Sequence, residues 1–147
     1  MNSQETKTRR RIGIFGWGVV APGCQDVDQF RDKLAAGGSW LEPFQDFGPS
    51  NFLVGDPEFD FEKYHQWVED RFPPRRFTQL QAKMGNPTLY AVGSFIQALE
   101  QNPGIESALQ EMGSRAHVYV GTGLGDIPTI SEIALKADRA QREWDAF

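Results

Sequence analysis

A chain of 147 residues with 39% hydrophobic side chains has the size of one domain, or of part of a larger one. Its formal charge of −5 would repel a phosphate backbone, and no basic stripe interleaved with aromatics offsets it, so nucleic acid is not an expected partner. A single cysteine excludes an intrachain disulfide framework, no run approaches the ~20 apolar residues of a membrane helix, and no apolar h-region marks a secretory signal. The expectation is a soluble cytoplasmic protein with no membrane partner.

In chain order, residues 1–9 are polar and predict a disordered leader. Arg11-Ile12-Gly13-Ile14-Phe15 predicts a buried strand that runs into Gly16-Trp17-Gly18-Val19-Val20-Ala21-Pro22. Asp26 and Gln29 have the spacing of a capping box. Val27, Phe30 and Leu34 then recur at helical spacing until Gly37-Gly38 supplies a stop. Residues 39–82 predict an irregular excursion, because prolines at 43, 49, 57, 73 and 74 break any sustained period. Ten aromatics fall between Trp40 and Phe77, so this stretch must pack on neighbouring elements or on a second subunit.

Asn86 reads as an N-cap with Pro87 at the first helical position. Leu89, Val92, Phe95, Ile96 and Leu99 form the predicted buried stripe, which Asn102-Pro103-Gly104 ends. A short helix over Ile105–Met112 closes at Gly113. Ala116-His117-Val118-Tyr119-Val120 predicts a second strand, running into Gly121-Thr122-Gly123-Leu124-Gly125-Asp126. Thr129 and Glu132 suggest another capping box, and Ile130, Ile133, Ala137 and Trp144 one face of a last helix. That helix has no stop signal, so the sequence is expected to end in mid-structure. The order is β, α, long loop, α, short α, β, α. Two strands cannot build a parallel sheet covered on both faces, so this is an α/β pattern that is incomplete by itself.

The candidate chemistry is sparse. Gly16 to Ala21 matches G-x-G-x-x-A, but the following helix begins only at Asp26 and no second strand ends in an acid at the expected distance. A small nucleotide-binding domain is therefore a competing reading without its usual context. Gly121 to Gly125 could cradle an anion through backbone N–H groups, or could be a tight turn that lets backbone pass close by. Cys24 precedes a helix amino terminus, yet no histidine lies near it in sequence, and a bystander thiol is the favoured reading. His65 and His117 have no companions at metal-ligand spacing. Glu58, Asp60, Glu62, Glu69 and Asp70 read as a solvated acidic surface.

Taken together, these segments resemble the amino-terminal part of a β-ketoacyl-acyl carrier protein synthase, a condensing enzyme of thiolase-like fold. Residues 10–22 are similar to that family's opening strand and G-x-G-x-x-x-P turn, and Asp26 to Gly37 to the helix after it. Lys83-Met84 with Tyr90, Ala91 and Ala98-Leu99 resembles the K-M-D segment and its long helix, with Gly85 in place of the acid. Val118 to Gly125 resembles the next strand and glycine turn, and Asp126 departs from the glycine or small residue usual there. Residues 39–82 do not match closely.

The resemblance implies an incomplete amino-terminal part of a thiolase-like fold over residues 10–147. It also implies an acyltransferase chemistry. A cysteine is acylated from a carrier-bound thioester, a malonyl carrier loses CO2, and the resulting carbanion attacks the acyl carbonyl in a Claisen condensation. The family's cysteine, two histidines and lysine lie in the carboxyl-terminal direction, and Cys24, His65 and His117 do not align with them. No catalytic residue is assigned here. Leu124 alone aligns with a substrate-binding position, a wall of the acyl pocket at the dimer interface.

No cofactor is expected to bind directly, since substrates ride on the phosphopantetheine of acyl carrier protein. The implied partners are that carrier and a second synthase chain, as a homodimer or a heterodimer. Fatty acid and polyketide pathways both stay open. So does a non-catalytic synthase-like subunit that pairs with a complete ketosynthase.

Overall fold

The structure is a computed structural model, and it describes residues 12–45, 52–123 and 125–147. Helix α1 spans Val27–Ala36. Its start has the Asp26 cap that the sequence suggested, with the Gln29 side chain reaching back to the amide one residue before the cap. Asp26 accepts from the Gln29 amide at 3.0 Å, and the Gln29 side chain accepts from the Gln25 amide at 3.0 Å. Gly37, at φ 70°, closes the helix by donating to the Lys33 carbonyl. Phe30 projects from it between Trp17 and Trp40, edge-on to both.

The predicted excursion over 39–82 is more ordered than its prolines suggested. Strands β1 (Glu42–Pro43) and β2 (Leu53–Val54) form a two-stranded antiparallel ladder, with Glu42 opposite Val54 and Pro43 opposite Leu53. A 3-10 turn over Phe61–Tyr64 leads into α2 (His65–Glu69), and α3 covers Arg76–Lys83. Asp60 starts the turn by accepting from the Glu62 amide at 2.8 Å. These pieces are too short to signal a period, and packing of their aromatics fixes them instead.

The long helix α4 covers Asn86–Glu100, with Gly85 at the N-cap position, and α5 follows over Gly104–Met112. The core sits between α4 and the segment 59–80. It consists of Phe61, Tyr64, Val68, Phe77, Leu89 and Ile96, backed by Phe59, Trp67, Leu80 and Val92. The Phe61 and Phe77 rings stack 5.3 Å apart and nearly parallel. The long loop therefore supplies much of the core. Of the predicted α4 stripe, Leu89, Ile96 and Leu99 are buried, while Phe95 faces out and Gln97 takes an inward place.

Neither predicted strand appears in a sheet. Residues 12–20 and 116–120 have no regular secondary structure, and among the described residues no backbone ladder runs beside them. A strand is a property of its pairing, and β-propensity alone does not create one. Their apolar side chains stand in solvent: Ile12 is 95% and Tyr119 91% exposed.

The last helix, α6, runs over Ile127–Ala146. Its cap is Asp126, which accepts from the Thr129 amide at 3.2 Å, so Thr129 lies inside the first turn and does not begin a capping box of its own. No residue of α6 is buried, and Ile130, Ile133 and Trp144 are all exposed. Its recorded ion pairs, Glu132 with Lys136 and Asp138 with Arg142, are internal to the helix.

Candidate functional site

The most constructed polar arrangement joins the glycine segment 16–19 to α4. Gln97 and Gln101 lie one helical turn apart and therefore share a face. The Val19 amide donates to Gln97 Oε1 at 3.0 Å, and the Trp17 amide donates to Gln101 Oε1 at 3.2 Å. Alternate residues of the segment thus address the same helix, as every second amide of an extended chain does. Gln97 is buried, and its Nε2 donates to the Gln25 carbonyl at 2.7 Å and to the Tyr64 hydroxyl at 2.8 Å. One amide side chain ties the glycine segment, the turn before α1 and the aromatic core together. Periodicity marked the α4 stripe for apolar residues, and so it missed Gln97.

Gly16 and Gly18 are needed for close approach. A Cβ on Gly16 would run into the Ala98 carbonyl, and one on Gly18 into the Ser94 carbonyl. The space over both glycines is filled by α4 backbone. The first helix begins at Val27, well past the turn. A pyrophosphate lying over these two glycines would collide with α4, so the G-x-G-x-x-A match is a packing motif here.

The remaining candidates fall in ordinary surroundings. Cys24 is 0% exposed, and its backbone exchanges two hydrogen bonds with Ala21 in a tight turn. The thiol has no access to a substrate in this chain. His65 stacks on Phe77 at 4.4 Å, with Nδ1 3.1 Å from Glu62 and Nε2 3.0 Å from Glu69. Those contacts orient it as a surface strut. His117 lies in the exposed segment 116–120, with its nearest ring that of Tyr119. Leu124 lies outside the described residues. Among the described residues, no three His, Cys, Asp or Glu side chains converge as a metal-binding group.

Among the described residues, two titratable groups are displaced from their ordinary values. The hydrogen bond to Glu106 is the main cause that raises Arg71. Its Nε lies 3.0 Å from Glu106 Oε1, while its guanidinium also covers the Trp67 ring. Burial raises Tyr90, the Asp56 charge adds to this, and a hydrogen bond with Asn86 opposes it. Both groups join neighbouring elements of the packed region, and neither lies beside a nucleophile.

Comparison with known proteins gives this arrangement its context. The family described as "Beta-ketoacyl synthase, N-terminal domain" matches residues 9–146. The chain belongs to the β-ketoacyl synthase family and corresponds to its amino-terminal domain. It is 30% identical over 136 residues to "3-oxoacyl-[acyl-carrier-protein] synthase I, chloroplastic" of Hordeum vulgare, covering 88% of this chain and 27% of that protein. It is 29% identical over 138 residues to "Granaticin polyketide putative beta-ketoacyl synthase 1" of Streptomyces violaceoruber, covering 92% of this chain and 30% of that one. The chain thus spans less than a third of the length of either relative. No solved structure matches it at a significant level. The family implies a thiolase-like fold, of which the described residues form a helix-rich part with one small two-stranded sheet.

Proposed function

We propose that this chain is the amino-terminal part of a β-ketoacyl-acyl carrier protein synthase that performs decarboxylative Claisen condensation in fatty acid or polyketide formation. The family membership carries the reading. The exposed apolar side chains of residues 12–15 and 118–120 support it, because β-prone segments facing solvent suit strands whose ladder partners come from further chain. On this reading the nucleophilic cysteine, its histidines and the oxyanion donors also come from further chain, and these 147 residues alone do not condense acyl groups.

Acyl carrier protein presents both substrates on phosphopantetheine, and no cofactor binds directly. The protein works in the cytoplasm as a dimer, in which Leu124 forms part of the acyl-pocket wall. The test is a condensation assay with acyl and malonyl carriers on the protein as its host makes it and on residues 1–147 alone. Product from the first only is the expected result. No product from either, with a complete synthase subunit copurifying, would replace this reading with the non-catalytic pairing subunit. In an active enzyme, Leu124→Phe should shorten the acyl chains accepted. Identical length profiles for Leu124→Phe and wild type would remove Leu124 from the pocket.

A further inference from the structure

Gly85 stands at the N-cap of α4 with φ −72° and ψ 161°, ordinary extended backbone that any residue can adopt. The N-cap is where serine, threonine, aspartate or asparagine is favoured, because a side-chain oxygen there satisfies the first helical amides. Glycine supplies none, and no side-chain cap is formed at this position. Backbone geometry does not explain the choice. Space does: the Asp126 carboxylate lies directly over Gly85, and a Cβ on residue 85 would coincide with its Oδ2.

Asp126 is held in that place from its own side. Its Oδ1 accepts from the Thr129 amide at 3.2 Å, and its Oδ2 accepts from the Thr129 hydroxyl at 2.7 Å. Its carbonyl accepts from the Ile130 amide at 3.0 Å. One carboxylate therefore caps α6 while its charge rests against the amino-terminal end of α4, where the helix dipole favours an anion.

We infer that Asp126 and Gly85 are a complementary pair. The Asp126 carboxylate takes the place of the side chain that residue 85 lacks, and so ties the start of α6 to the start of α4. Asp126 is a positioning residue. The pairing stands on geometry alone, whereas its consequence for the acyl pocket through Leu124 rests on the ketosynthase reading.

The test compares Gly85→Ala, Asp126→Ser and the double variant in the protein as its host makes it. Serine keeps an N-cap for α6 but is shorter than aspartate. Hydrogen exchange at the Thr129 and Ile130 amides is the first readout. Gly85→Ala should lower protection about tenfold, and adding Asp126→Ser should restore it to the level of Asp126→Ser alone, as coupling between residues in contact requires. An equal loss in both backgrounds, or no loss from Gly85→Ala, overturns the pair. If Gly85→Ala does not accumulate, recovery of soluble protein in the double variant is expected, and its failure to recover overturns the pair. The second readout is the acyl-length profile, which Gly85→Ala should alter and the double variant should bring back toward that of Asp126→Ser. Absence of condensing activity in every variant, wild type included, would count against the ketosynthase reading while the exchange result still decides the pair.

Discussion

Residues 59–99 and residues 116–146 both carry apolar side chains in regular patterns, but the structure treats them in opposite ways. In the first region, short helices interrupted by proline bring Phe61, Tyr64, Val68 and Phe77 against α4 and bury them. In the second, a strand-like run and an uninterrupted helix of 20 residues bury nothing. The region with the poorer pattern has the core. Pattern shows which face of an element is apolar, and only a partner surface turns that face into stability. The amino-terminal segment is intermediate, since Gly16 to Val19 are docked on α4 while Ile12 and Ile14 stand free in solvent.

The contrast can be tested most strongly at one isoleucine from each region. Ile96→Ala, at a residue 1% exposed, should cost about 3 kcal/mol in denaturant unfolding of this chain. Ile130→Ala, at a residue 57% exposed, should change it by less than about 0.5 kcal/mol. In the complete protein, a cost for Ile130→Ala rising to about 2 kcal/mol would show that α6 is covered there. The same small cost in both would deny α6 a partner.

Next in size is the docking of the glycine segment. Gly18→Ala pushes a methyl group into the Ser94 carbonyl and should destabilise the chain by about 2 kcal/mol. Exposure of Trp17 to a quencher should rise with it. A neutral Gly18→Ala would mean that the segment does not lie on α4 in solution.

The tie between Arg71 and Glu106 comes next. Both side chains are 33% exposed, so Glu106→Gln should cost about 1 kcal/mol, and less as salt is added. A salt-independent cost would place the contribution in packing of the guanidinium on Trp67, not in charge.

The smallest effect concerns alkaline pH. Because the Tyr90 phenol is raised in the folded chain, the unfolded chain releases that proton first as pH increases. The folded form then binds more protons than the unfolded one, and stability should fall from about pH 10 upward until the folded phenol also ionises. Tyr90→Phe should make that fall shallower in pH-dependent unfolding. An unchanged slope would assign the alkaline loss to other groups.

What could be read along the chain was local. The cap at Asp26 with Gln29, the stop at Gly37, the break at Asn102-Pro103 and the close at Gly113 each involve residues within one turn of each other, and each was found where the sequence put it. Local rules also gave near misses. Gly85 serves as the N-cap where Asn86 was expected, and Asp126 caps α6 where Thr129 was expected, because neighbouring residues compete for the same few amides.

The order of its motifs was likewise enough to show the resemblance to β-ketoacyl synthases, which the family match bears out. Tertiary structure alone decided the rest. It made residues 61–82, expected as part of an irregular excursion, the source of the core side chains Phe61, Tyr64, Val68 and Phe77, because burial of aromatics outweighs the broken period once α4 lies beside them. It made Gln97 a junction between three segments 33 to 78 residues away in sequence. It set the Asp126 carboxylate over Gly85, a fit between residues 41 positions apart that no periodicity encodes. Capping and turns depend on a few adjacent dihedral angles, whereas close approach depends on where distant backbone comes to rest.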